Sequence, residues 1–227
     1  SDTLSLHDAL PICRRAELLV NAGWTELLAA EARDEAPGEA TRTQLAAAKQ
    51  LYEGDCPRPG ELQNVHVNLA LDAVARGSWD EAAVHAAAAR AARIEVARPE
   101  IALWLLDVEA RIALGRGAAA RALVAYDALL RKAREGDLAH AEWRAQVGRG
   151  LALERLHRDD AAIEAYGAAE ALLGQASLRV PLQEGRAAFL GDRARSARRL
   201  SDLWLRKKRP AEALAVLRTA RARALAA

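Results

Sequence analysis

The feature that most constrains this chain is a segment that recurs at a fixed interval. GSWDEAAVHAAAA from Gly77, GAAARALVAYDAL from Gly117, HRDDAAIEAYGAA from His157 and KRPAEALAVLRTA from Lys208 share one pattern of small and large residues. Their equivalent alanines are Ala82, Ala122 and Ala162, 40 residues apart each time, followed after 51 residues by Ala213. A period near 40 implies one supersecondary unit stacked repeatedly, because a single unit of that length cannot bury its apolar face alone.

The register inside each unit has a steric logic. Ala82, Ala122, Ala162 and Ala213 stand where two helices of a hairpin come closest, and a larger side chain would push them apart. One helical turn later come Ala86, Tyr126, Tyr166 and Leu217, and seven residues on come Ala89, Leu129, Ala169 and Ala220. In the preceding helix Ala70, Ala110, Gly150 and Ser201 are small, while Ala73, Ala113, Leu153 and Trp204 fill the space three residues later.

Composition agrees with a helical array. Hydrophobic residues make up 52% of the 227, yet aromatics only 4% and Met none, so Ala and Leu, the strongest helix formers, supply most of the apolar surface. β-branched residues never gather into strand-length runs. Breaks at Gly, Pro and polar clusters predict helices over 14–22, 24–35, 40–53, 61–76, 79–97, 100–115, 118–135, 138–157, 159–173, 184–207 and 210–225. Pro99 and Pro210 lie in or just before a first turn, where a missing N–H is harmless. Short links make sequential helices antiparallel neighbours. The expected architecture is all-α: a right-handed superhelical array of helix hairpins, with units at 61–98, 99–136, 137–174 and 184–227 and a degenerate hairpin region at 13–60.

These positions resemble the tetratricopeptide signature, with its small residues at the helix crossing, bulky residue one turn later and proline near the unit boundary. The resemblance runs from Glu61 to Ala227, although the period exceeds the usual 34 and the usual Trp, Leu and Gly of the first helix are largely missing. It implies a protein-binding scaffold whose concave face is lined chiefly by first helices, here Asn64, Asn68, Asp72, Asp107, Arg111, Gln146, Arg149, Arg193 and Arg199. The packing positions are Ala82, Ala122, Ala162, Ala213, Tyr126, Tyr166 and Trp204.

A narrower resemblance covers Gly185 to Ala227, which is similar to the last repeat before the peptidase module of bacterial CHAT-domain proteins, caspase-like peptidases. Phe189, Asp192, Arg193, the Ala211-Glu212-Ala213 start and the closing Ala220 to Leu225 carry it; an aromatic usual near Ser196 to Arg198 is missing. It implies a fragment of a larger peptidase in which this segment recognises partners or regulates an attached C-terminal catalytic module. The alternative is a regulatory or spacer segment of a bacterial transcriptional ATPase or kinase. At the other end, TLSLHDALPI from Thr3 to Ile12 is similar to the in-frame translation of a short-read sequencing adapter, ACT CTT TCC CTA CAC GAC GCT CTT CCG ATC. On that reading residues 1–12 are an artefactual tail, and His7 and Asp8 carry no functional information.

Chemistry is not expected of the segment itself. Cys13 and Cys56 have no CxxC or Cys/His metal spacing and define no disulfide framework, so a reducing, cytoplasmic setting is the expectation. Cys56 precedes His66 by ten residues but lies in a Pro/Gly-rich connector, which suits a loop cysteine better than a catalytic dyad. His85, His140 and His157 stand apart in sequence, with no ligand spacing. No cofactor, metal site or phosphate loop is predicted. The formal charge of +2 gives no general reason for nucleic acid or membrane binding, although residues 186–227 carry a net +9. The run Arg206-Lys207-Lys208-Arg209 reads as a solvated turn before Pro210, with an anion or nucleic-acid contact at the following helix N-terminus as the alternative.

Overall fold

The computed structural model describes residues 6–33, 35–92, 99–177 and 195–225. Among them are ten helices and no strand: α1 (Leu6–Arg33), α2 (Glu39–Glu53), α3 (Pro59–Ala75), α4 (Trp79–Ala91), α5 (Pro99–Gly115), α6 (Ala119–Glu135), α7 (Ala139–Arg155), α8 (Asp159–Ser177), α9 (Arg195–Arg206) and α10 (Pro210–Leu225). The chain divides into two compact units, 1–115 and 116–227. Within each, sequential helices pack on one another as hairpins, the arrangement of a tetratricopeptide-like α-solenoid.

Unit 1 packs α1 on α2, α3 on α4, and α5 against both α3 and α4. Its core gathers Leu45, Ala48 and Tyr52 of α2, Val65, Ala70 and Ala73 of α3, Ala82, Ala86 and Ala89 of α4, and Val108 of α5. Trp24 of α1 meets Trp104 of α5 edge-on, with ring centroids 4.8 Å apart, the favoured geometry for an aromatic pair. Unit 2 packs α7 between α6 and α8, then α9 against α8 and α10.

The small positions of the repeat do what their size permits. Ala82, Ala122, Ala162 and Ala213 are all buried. Tyr126 and Tyr166 are buried one turn later, each ring resting on a glycine of α7. A Cβ on Gly148 would lie 2.1 Å from the Tyr126 ring, and one on Gly150 would lie 2.5 Å from the Tyr166 ring, so no larger residue fits without displacing them. Trp79 uses the same device in unit 1, where a Cβ on Gly115 would lie 2.5 Å from its indole.

Helix ends repeat as well. Four turns carry the paired bonds of a Schellman motif: Ser78 N–H to Ala73 and Gly77 N–H to Val74, Leu138 to Ala133 and Asp137 to Arg134, Arg158 to Leu153 and His157 to Glu154, Arg209 to Trp204 and Lys208 to Leu205. The residue between the helices is left-handed each time, with φ of 72° at Gly77, 51° at Asp137, 56° at His157 and 58° at Lys208.

Several expectations are corrected. The predicted break between 14–22 and 24–35 is absent, for α1 runs unbroken through Gly23. That glycine makes room for a neighbour: a Cβ there would sit 2.7 Å from Leu45 Cδ2. The helix predicted over 79–97 ends at Ala91. Leu217, placed on the buried stripe beside Tyr126 and Tyr166, is 44% exposed. Cys13 and Cys56, expected to define no disulfide framework, are joined by a disulfide with a Cα–Cα distance of 5.5 Å, tying α1 to the connector before α3. The first part of the helix predicted over 184–207 lies outside the described residues.

Candidate functional site

The site lies in unit 2, where α6, α7 and α8 border a cleft of about 350 Å³. Its walls are mostly polar, over a small apolar floor. Leu123 of α6, Leu153 of α7, and Ala161, Ala165 and Ala168 of α8 supply it. The three alanines follow at i, i+4 and i+7, one face of a helix, and leave space where longer side chains would close the cleft.

The polar groups have distinct states. Arg149 is held from both sides: its Nε donates to Asp127 Oδ1 at 2.6 Å and its Nη1 donates to Gln146 Oε1 at 2.8 Å. This fixes a guanidinium over the floor and spends most of its charge on Asp127. Arg158, in the α7–α8 turn, and Glu164, on α8, are exposed and make no side-chain bond or ion pair among the described residues. The cleft therefore has one engaged ion pair and two free charges of opposite sign on an apolar floor. No Ser, Thr, Cys or His lines it.

A polar junction braces the site. Glu154 of α7 accepts from the Tyr166 hydroxyl at 2.7 Å and from Arg206 Nη2 of α9 at 2.6 Å. Burial pushes the Tyr166 phenol far above its ordinary range, and the bond and charge of Glu154 add to that, so it donates as a neutral hydroxyl. Glu170 of α8 likewise accepts from Ser196 Oγ at 2.5 Å and from Arg223 of α10.

Of the residues predicted to line a concave face, the cleft brings together Gln146 and Arg149. Asn64 is partly buried on α3, and Asn68 and Asp72 are buried there. Asp72 accepts from Arg76 Nη2 at 2.5 Å, and both amide atoms of Asn68 lack a hydrogen-bond partner among the described residues. Asp107 is buried on α5 and pairs with Arg111 Nε at 2.8 Å, while Arg111 Nη2 reaches Glu31 of α1 at 2.6 Å. Arg199 is exposed, and Arg193 lies outside the described residues. Asp127, Arg158 and Glu164 were missed because they stand on second helices and a turn; nothing in their spacing marks them.

The other candidates find structural partners. Cys56 is bonded to Cys13, and His66 faces His85. His85 thus has a partner across the hairpin, contrary to the expectation that it stands alone. His140 stacks on Trp143. In the basic run, Arg206 pairs with Glu154, Lys207 Nζ with Asp160 at 2.6 Å, and Arg209 with Glu212 while lying over Trp204 at 4.6 Å. Three of its four charges are spent within the unit.

Among the described residues no group of three or more His, Cys, Asp or Glu is placed to hold a metal ion, and no helix is long and apolar enough to cross a membrane. Comparison with protein-family models and with curated proteins finds no match.

Proposed function

We propose that this chain is a non-catalytic protein-binding scaffold whose unit 2 cleft receives a short segment of a partner protein. The observation that carries this reading is a cleft with mostly polar walls, a small alanine-leucine floor and two free charges, Arg158 and Glu164. Such a surface gains from burying a small apolar side chain and selects its ligand by one acid and one base. Tyr126 and Tyr166, seated on Gly148 and Gly150, hold the three helices in place, so little ordering cost falls on binding.

The test is a selection from a random peptide library on the intact chain, followed by fluorescence anisotropy with the selected peptides. Reversing Arg158 to Glu and filling the floor with Ala168→Trp, at a partly exposed position, should each weaken binding at least about tenfold, or roughly 1.4 kcal/mol. Peptides whose affinity neither change alters would overturn the assignment of this cleft.

The resemblance of Gly185–Ala227 to the repeat preceding a caspase-like peptidase module supports a finer proposal: the scaffold serves a bacterial CHAT-type peptidase, recognising partners for it or restraining it. Reading the coding sequence beyond Ala227 tests this. A module with a His/Cys pair would support it, and an ATPase, kinase or winged-helix domain would overturn it. A cytoplasmic setting belongs to the same proposal, and there the Cys13–Cys56 bond would be held as two thiols.

A further inference from the structure

Unit 1 contains a pair of imidazoles that the scaffold reading does not use. His66 of α3 is 8% exposed, and His85 of α4 is half-buried. Their Nδ1 atoms are 3.1 Å apart, their ring centroids 5.4 Å apart, and their planes are tilted by 38°. The centroid separation exceeds the nitrogen separation by about the two centre-to-nitrogen radii of an imidazole. The two centres and two nitrogens therefore lie nearly on one line, and the nitrogens meet head-on.

That line decides what the pair can hold. A metal ion chelated by both rings needs lone pairs that converge on one point, each nitrogen about 2.0–2.1 Å from it. Opposed nitrogens would have to stand about 4 Å apart to admit an ion between them, and they stand at 3.1 Å. The geometry is that of an N–H···N hydrogen bond, in which one ring donates its Nδ1–H to the lone pair of the other.

We infer that the His66–His85 bond is a one-proton lock on the α3–α4 hairpin, which holds while the pair carries no more than one added proton and opens when both rings are cationic. In the neutral pair one ring is the Nδ1–H tautomer and the other the Nε2–H tautomer. The first added proton enters at the outer nitrogen of the donor ring, leaving an imidazolium that still donates to an imidazole, a charge-assisted and stronger bond. A second proton has no site except the accepting Nδ1. Two N–H groups would then face each other along the line of the former bond, each on a cation.

The surroundings relieve that repulsion only in part. α2 contributes Lys49 and Glu53, which pair with each other at 2.7 Å. α3 contributes Asp72 and Arg76, and α4 contributes Glu81; Arg76 bonds both carboxylates. On α5, Glu109 is turned to Arg90, and Arg111 to Asp107 and Glu31 of α1. These six carboxylates share four cations, with Arg76 and Arg111 each serving two. Burial lowers the proton affinity of both rings and the neighbouring His85 lowers that of His66 further, while Glu81 and Asp72 at His85 and Glu53 at His66 pull the other way without reversing the direction. Each folded-state value thus lies below the unfolded one, so the contribution to stability is full above the unfolded pKa and is lost as pH falls through the folded ones.

Nitrogen-resolved NMR of the imidazoles, followed from about pH 8 to pH 4, tests the lock. The expected result is two steps at least about one pH unit apart, the bonded Nδ1–H surviving the first and vanishing at the second, with the larger acceleration of amide exchange in α3 and α4 at the second. In His85→Ala, His66 should titrate in a single step between those two, and His85→Gln provides the same reading if the alanine chain does not fold. One common midpoint for both rings in the native chain would overturn the inference. So would a His66 titration unchanged by either substitution.

Discussion

The two units solve one packing problem with their bulk in different places. In unit 2 the residue one turn after the crossing alanine is Tyr126 or Tyr166, and each ring sits on a glycine of α7. In unit 1 that register holds Ala86, and the bulk comes from Trp79, three residues before Ala82, resting on Gly115. What repeats is a large side chain set against a missing one, rather than the address of the large residue. Unit 1 adds ties of another kind, a disulfide and an imidazole pair, while both units carry partly buried ion pairs, at Arg76 and Arg111 in one and at Arg206 and Arg223 in the other. Partly buried ion pairs are weak sources of stability, because desolvation offsets most of their attraction. The covalent tie and the aromatic seats should therefore dominate any difference in how the units respond to perturbation.

The largest effect is expected from Tyr166→Ala. It removes a fully buried ring together with its bond to Glu154, and large-to-alanine changes of this kind cost about 3–5 kcal/mol. Denaturant unfolding combined with peptide-resolved hydrogen exchange should show the loss in residues 116–227. A cost below about 1 kcal/mol would mean that the ring is not what holds α7 to α8. Reducing the Cys13–Cys56 bond comes next. A closed loop of this length stabilises by about 2–4 kcal/mol through the unfolded chain, and the same exchange experiment should place that loss in unit 1. Equal loosening of both units on reduction would erase the distinction between them.

How much of this could be read from sequence follows from which interactions are local. Ala82, Ala122, Ala162 and Ala213, the tyrosines at 126 and 166, and the helix starts at Pro99 and Pro210 are legible because their cause lies within one helix or one hairpin. Gly23 was read as a break because its reason, Leu45, arrives from another helix. Cys13 and Cys56 are 43 residues apart, and nothing local announces their meeting. His66 and His85 belong to one hairpin but stand eleven residues before and eight residues after Gly77, distances too unequal to announce a pair from sequence. The cleft was half legible: Gln146 and Arg149 follow from the first-helix rule, whereas Arg158 and Glu164 depend on which side of α8 is left uncovered.

The smallest expected effect concerns the turns, where Gly77 and Gly117 are left-handed glycines and three turns of unit 2 use other residues. The left-handed residue of the α3–α4 turn in unit 1 is Gly77, while the corresponding residues at three turns of unit 2 are Asp137, His157 and Lys208. A residue with a Cβ pays about 1–2 kcal/mol in that conformation, and glycine returns about half of the gain through the greater freedom of its unfolded chain. Exposed His157, with φ of 56°, has no side-chain bond among the described residues to set against this cost. His157→Gly should therefore stabilise unit 2 by about 0.5–1 kcal/mol, raising the denaturant midpoint at unchanged slope. The opposite exchange, Gly77→His, should destabilise unit 1 by a similar amount. If His157→Gly lowers the midpoint instead, the left-handed turn is not strained, and its imidazole contributes a contact that outweighs the backbone term.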